Sequence, residues 1–355
     1  MPNNNVAFPT LLLLYLPSKT QIWARWMLYD TDFLAKLAQG LKDLSSVWRL
    51  SPEATLTLLT ISENATFRIA DETTGSDLIV RVHRPDYHTE AEILSELAWI
   101  DALRQDGVVV TPRPVTANDG SLLQIFSDGE TMRHAVAFEY MAGKEPNAGS
   151  DLVHWYKTLG EINAKLHAHS RGWTRPEKFI RKTWNFDRIL GNGAYWGDWR
   201  DALGLTADGK SVLERTHALL EAQTSAYGYG EDRFGLVHCD MRAANLLVDG
   251  DRLGVIDFDD CGLSWFAYDF AAAISFMEHE PFIPDLMAAW LEGYRRVAPL
   301  DARHEAALPM FIMLRRMQLT AWIASHAETP TAQSMGTAYT DGTVALAERY
   351  LAEHS

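Results

Sequence analysis

Three scarcities bound the reading of this 355-residue chain. Cysteine occurs twice, at Cys239 and Cys261. Two thiols make no disulfide framework, so a reducing, cytoplasmic setting is expected. No stretch approaches the about 18 apolar residues of a membrane-spanning helix, so no transmembrane segment and no membrane partner are expected. Basic residues are outnumbered, 32 Lys and Arg against 47 Asp and Glu, for a formal net charge of −15. Nucleic-acid affinity rests on basic patches that neutralise phosphate, which excludes that class of partner. The acidic balance suits a cationic small molecule, although most acidic surfaces serve solubility. Internal repeats and low-complexity segments are also missing.

A basic n-region is missing too. Phe8 to Leu16 is apolar, but no Lys or Arg precedes it, which argues against a signal peptide. Residues 1–26 are expected to be an extension, with the folded chain opening near Met27 on a helix that runs to about Trp48.

The chain is long enough for two lobes and a sizeable core. Three strand patterns follow one another at Thr55–Ile61, Ala65–Asp71 and Asp77–His83. Thr89-Glu90-Ala91-Glu92 has the spacing of a capping box and should start a helix reaching about Arg104. Val108–Val115, Ser121–Phe126 and His134–Tyr140 read as further strands. Asp151–Ser170 places Leu152, Trp155, Leu159, Ile162 and Leu166 at helical spacing. Residues 171–205 are rich in Trp, Gly and charge without clean periodicity. They are either an aromatic and acidic pocket lining or a surface insert packed by its tryptophans. Helices are expected near Ile283–Val297, Ala302–His326 and Thr337–Ala352, with Pro309 kinking or starting the second.

The informative stretch is Leu236-Val237-His238-Cys239-Asp240-Met241-Arg242-Ala243-Ala244-Asn245, followed by Val255-Ile256-Asp257-Phe258-Asp259. A lone Asp and Asn five apart mean little. Here an apolar Leu-Val-His precedes them, Leu246-Leu247-Val248 follows, and an Asp249-Gly250-Asp251 turn leads to Leu-Gly-Val-Ile before the second Asp. That order reads as strand, loop, strand, turn, strand.

The pattern His-x-Asp-x-x-x-x-Asn followed by Ile-Asp-Phe resembles the aminoglycoside phosphotransferase family, with its choline, homoserine, hydroxylysine and stress-response kinase relatives. The resemblance covers about residues 50–295 and is specific in 236–273. It implies an α+β, bilobal protein-kinase-like fold: a nucleotide-binding sheet lobe over 27–142 and a mostly helical catalytic and substrate lobe over 143–355. It implies an enzyme that phosphorylates a hydroxyl of a small molecule, with ATP and Mg2+. The acceptor class would be an amino alcohol, a hydroxy amino acid or an aminoglycoside-like compound.

Phosphoryl transfer is mostly positioning and charge neutralisation. Asp240 would orient the acceptor hydroxyl and take its proton late. Asn245 and Asp257 would hold the metal, a hard ion that prefers oxygen ligands. Arg81 stands where the family's phosphate-binding Lys is expected; it keeps the charge and changes the geometry. Glu96 would be its partner, while Glu92 caps the helix. His83 and Arg84 are nearby basic alternatives to Arg81. The Ser62-Glu63-Asn64-Ala65-Thr66 turn lacks the glycines of protein kinases, yet Ser62, Asn64 and its amides are candidates for phosphate contact. Backbone groups near Glu139 and Met141 would meet the adenine edge. Asp269 would support the catalytic loop, and Asp259 would add either a supporting contact or a substrate contact. His167 and His169 read as structural, and Cys239 as a small residue in a tight loop.

Two other readings compete. A stress-response-type protein Ser/Thr kinase would need an activation loop, but only about a dozen residues separate Asp257 from Asp269. A nucleotide-binding pseudokinase has only Arg81 in its favour.

Overall fold

The computed structural model describes residues 31–61, 64–147, 151–327 and 329–354. The expected extension 1–26 and Ser62 lie outside the described residues. The chain is an α+β protein, with an antiparallel sheet near its start and helices dominating the rest.

Helix α1 (Thr31–Leu44) precedes strands β1 (Thr55–Ile61), β2 (Ala65–Asp71) and β3 (Ser76–Val82). β2 alternates strictly, burying Ala65, Phe67, Ile69 and Asp71 as a half-buried strand should. Leu37 and Leu41 of α1 join Trp48 and this sheet face in one apolar cluster. Helix α2 (Glu90–Gln105) begins with both arms of the capping box: the Glu92 amide donates to Thr89 Oγ1 at 3.3 Å, and the Thr89 amide donates to Glu92 Oε2 at 2.8 Å. That start fixes the register placing Glu96, wholly buried, opposite Arg81 of β3.

Of the strand expected over 108–115, only β4 (Pro114–Val115) pairs with the sheet. Pro112 and Pro114 have no N–H for a ladder. Val108 instead donates to the Leu103 carbonyl at the end of α2, and the Val110 carbonyl accepts from Val255. β5 (Leu123–Ser127) and β6 (Met132–Glu139) complete six strands in the order β1-β2-β3-β6-β4, with β5 also on β6.

The helical region opens with α3 (Leu152–Gly172) and the short α4 (Phe186–Ile189). Residues 207–227, for which the sequence suggested no element, form α5 (Ala207–Tyr227), capped by Thr206. The segment around Asp240 and Asp257 is built on β7 (Phe234–Val237), β8 (Leu246–Asp249), β9 (Arg252–Val255) and β10 (Gly262–Trp265), paired as β7–β10 and β8–β9. Then come α6 (Tyr268–Ala273), α7 (Ile283–Val297), α8 (Ala302–Ala306), α9 (Leu308–Ser325) and α10 (Pro330–His354). The single helix expected over 302–326 is split, because Pro309 starts α9 in the first turn where its missing N–H costs nothing. α10 begins earlier than expected and is interrupted at Gly336, whose φ is 52°.

The core of the helical region depends on a close crossing of α3 and α7. A Cβ on Gly160 would clash with the Trp290 carbonyl, and one on Gly293 with the Lys157 carbonyl. Both obstacles are backbone and cannot swing aside. Ala favours a helix over Gly by about 1 kcal/mol, but here the overlap outweighs that gain. Gly293→Ala is therefore expected to lower stability by about 1–3 kcal/mol, read as a lower Tm in thermal melting; an unchanged or higher Tm would show that the crossing has slack.

Candidate active site

Strand β7 delivers the chain into a loop, 238–245, whose first turn is forced. Cys239 has φ 67°, in the left-handed region, where a non-glycine residue persists only if its surroundings hold it. Asp269 holds it. Its Oδ1 accepts from the Cys239 amide at 2.9 Å. Its Oδ2 lies 3.2 Å from Asn163 Nδ2, which donates to it, and 3.0 Å from His167 Nε2. Asp269 is fully buried, and these donors replace the water it has lost. His167 is thus structural, as expected, and its Nδ1 lies 3.0 Å from the Tyr294 hydroxyl.

His238 ties the loop to the strand beside it. The Asp240 amide donates to His238 Nδ1 at 3.2 Å, and Nε2 faces the Ile256 carbonyl at 3.1 Å. This pattern requires the neutral ring with its proton on Nε2. Burial pushes the His238 pKa down, in the same sense.

Asp240 is gripped on both carboxylate oxygens. Oδ2 accepts from Asn245 Nδ2 at 2.8 Å and has Arg242 Nε at 3.4 Å; Oδ1 accepts from Arg315 at 2.6 Å. Asn245 Nδ2 also reaches the Asp240 carbonyl at 2.7 Å. With the amide nitrogen engaged inside the loop, the Asn245 oxygen is the end turned away from it.

Asp257 follows β9 with φ 61°, a second non-glycine residue in the left-handed region. Its side chain is 47 % exposed toward the cleft. Even so, the dense protein around it, with Asp259 and Asp240 nearby, pushes its carboxyl up to about 6 against the pull of Arg81. Arg81 NH2 binds both Glu96 oxygens, at 2.8 and 2.6 Å, and NH1 reaches Asp257 at 3.3 Å. Burial works against the Arg81 charge, but Glu96, Asp259 and Asp257 outweigh it and hold the guanidinium protonated. The expected Arg81–Glu96 pair is therefore formed.

These groups share one cleft of about 440 Å³, within the usual range of about 300–1,000 Å³ for a small-molecule site. Ile79, Ile100, Phe138, Met141 and Leu247 make an apolar slot, and Asp240, Asn245, Asp257 and Asp260 lie along it. Asn64 also lines the cleft, with both ends of its amide engaged: Nδ2 donates to Asp259 at 2.7 Å, and Oδ1 accepts from the Arg84 amide at 3.1 Å. The Glu139 side chain is elsewhere, paired with Arg113. Its amide donates to the Arg113 carbonyl.

The structure adds residues that the sequence reading missed. Asp260 lines the cleft and accepts from the Tyr87 hydroxyl at 2.6 Å, which in turn lies 3.1 Å from Trp196 Nε1. Trp196 also flanks the Arg315 guanidinium, 5.0 Å from its ring centre. The doubled acid after Asp257 and the Arg315-Arg316 pair inside an apolar helix were the available signals. Within 171–205, Trp184, Trp196 and Trp199 are core residues, 1, 5 and 1 % exposed, so these tryptophans pack the segment.

Comparison with known proteins identifies the family. A model of the phosphotransferase enzyme family matches residues 56–300. The structure of a microcompartment-associated aminopropanol kinase is 42 % identical, with a TM-score of 0.82, covering 88 % of this chain and 97 % of that one. An amicoumacin kinase of Bacillus subtilis is 23 % identical over 63 % of this chain and 67 % of its own length. A homoserine kinase of Gluconobacter oxydans is 27 % identical over 70 % of this chain and 74 % of its own. The match spans more than two thirds of the chain and contains the whole Asp240–Asn245–Asp257 segment, so this protein belongs to the phosphotransferase enzyme family.

Proposed function

We propose that this kinase transfers the γ-phosphoryl group of ATP, bound with Mg2+, to the hydroxyl of a small amino alcohol. The observation that carries this reading is the arrangement of Asp240, Asn245 and Asp257 on one cleft, with the Asn245 nitrogen engaged by Asp240. Asp240 would align the acceptor hydroxyl. As the acceptor oxygen bonds to the γ-phosphorus, the bond to the ADP oxygen breaks and the hydroxyl proton passes to Asp240. Asn245 through its oxygen and Asp257 through its carboxylate are the proposed metal ligands; the metal would neutralise charge on the β- and γ-phosphates. Two protein ligands suffice for an ion that keeps water and phosphate oxygens. Arg81, braced by Glu96, would face the phosphates. Asn64 would fix its turn, leaving Ser62 and the turn amides for phosphate contact. The base would lie in the apolar slot, its edge toward main-chain groups near Met141, since the Glu139 amide is already engaged by Arg113. On this reading 27–142 form the nucleotide lobe and 143–355 the catalytic and substrate lobe.

Asp260 supports a cationic acceptor: its carboxylate lies on the cleft wall, while the Tyr87 and Trp196 rings beside it already face Lys182 and Arg315. The 42 % identity to an aminopropanol kinase favours an amino alcohol over homoserine.

Three measurements test the proposal. ADP release with Mg-ATP should be stimulated by aminopropanol or ethanolamine more than by homoserine, choline or aminoglycosides. Asp240→Ala should lower kcat by about 10²–10⁴-fold while ATP binding persists; unchanged turnover would refute Asp240 as the base. Asp260→Asn should raise the acceptor KM by about 10-fold or more, the scale of a lost charge-assisted hydrogen bond, with ATP KM unchanged. An unaltered acceptor KM would place the ammonium elsewhere.

A further inference from the structure

Helix α9 carries two adjacent arginines inside an apolar run, and each is 2 % exposed. Burying a guanidinium is costly unless an anion and acceptors meet it. For Arg316 the partners are local and structural: NH1 donates to Glu278 at 2.8 Å, Nε to Thr343 Oγ1 at 2.8 Å, and NH2 to the Tyr339 carbonyl at 3.0 Å. Nothing in that set touches the cleft.

Arg315 differs. Nε donates to Ser275 Oγ at 2.9 Å, and NH1 donates to the Tyr268 hydroxyl at 3.1 Å and lies 3.4 Å from the Cys239 carbonyl. These acceptors are neutral. Among the described residues, the carboxylate at ion-pair distance is Asp240, 2.6 Å from NH2. The charge of a buried arginine is thus set against the proposed base itself. Its plane is fixed by Ser275 and Tyr268 on one side and Trp196 on another.

Two features show what this contact does. Arg315 holds Oδ1 while Asn245 holds Oδ2, so the carboxylate cannot rotate without breaking a bond on one side. Arg315 also reaches the carbonyl of Cys239, the residue at positive φ that aims Asp240. We infer that Arg315 is a positioning residue: it sets the carboxylate of Asp240 in line for the acceptor hydroxyl and acts through Asp240 alone. This rests on the kinase reading above.

The test is a double-mutant cycle on the full chain, with Mg-ATP and aminopropanol. Arg315→Met should lower kcat by about 10²-fold, the scale of a misplaced reacting group, with ATP KM little changed. Arg315→Lys, which keeps the charge but loses the fork, should recover about a tenth of wild-type kcat. In an Asp240→Ala background, Arg315→Met should add no further loss, because a residue acting only through Asp240 has nothing left to act on. Equal loss in both backgrounds would overturn the inference and mark Arg315 as merely structural. A raised ATP KM with kcat retained would overturn it in favour of direct phosphate contact. If thermal melting shows that Arg315→Met does not fold, the same cycle with Arg315→Lys decides between these outcomes. Wild-type turnover by Asp240→Ala alone would instead refute the kinase mechanism, a distinct failure.

Discussion

The interaction on which the site depends is the buried meeting of Arg81 with carboxylates from two other parts of the chain. Arg81 comes from β3, Glu96 from α2, and Asp257 and Asp259 from the segment after β9. A guanidinium with no water around it must keep its anions. The sheet, the helix beside it and the catalytic segment are therefore fixed relative to one another by charge as well as by packing. Asn64 adds a neutral tie across the same gap, through Asp259.

The catalytic loop follows a second rule. Its shape is unfavourable by itself, with left-handed backbone at Cys239, and partners both distant and within the loop hold it there. Asp269 secures the amide of Cys239, His238 bridges to Ile256, and Asn245 turns back on Asp240. The Asp240 carboxylate is thus held in place by groups of the protein itself before any ligand binds.

What could be read from the sequence was local. The capping box at Thr89–Glu92, the alternation of β2 and the strand-loop-strand order around Asp240 each declare themselves within about ten residues, where chemistry and spacing coincide. What escaped was either non-local or masked by composition. Tyr87, Trp196, Asp260 and Arg315 converge from four separate segments, and no spacing rule links them. Val108–Val110 favour a strand by propensity, yet the prolines that follow leave little to pair. The start of α5 contains Asp208-Gly209-Lys210, polar residues that hide a helix whose buried positions, Val212, Leu213, Thr216 and Leu220, come later. The tryptophans of 171–205 could be read as pocket lining or as packing because the segment has no clean periodicity; Trp184, Trp196 and Trp199 pack inward.

The glycine crossing of α3 and α7 reaches further than packing. Asn163 and His167, the donors that steady Asp269, lie on the same face of α3 as Gly160, and the Trp290 indole of α7 donates to Asn163 at 2.7 Å. The distance between two helix backbones is thus transmitted, bond by bond, to the peptide next to Asp240. A change in helix spacing here would therefore be felt at the Cys239 amide, far away in the chain, through the carboxylate of Asp269.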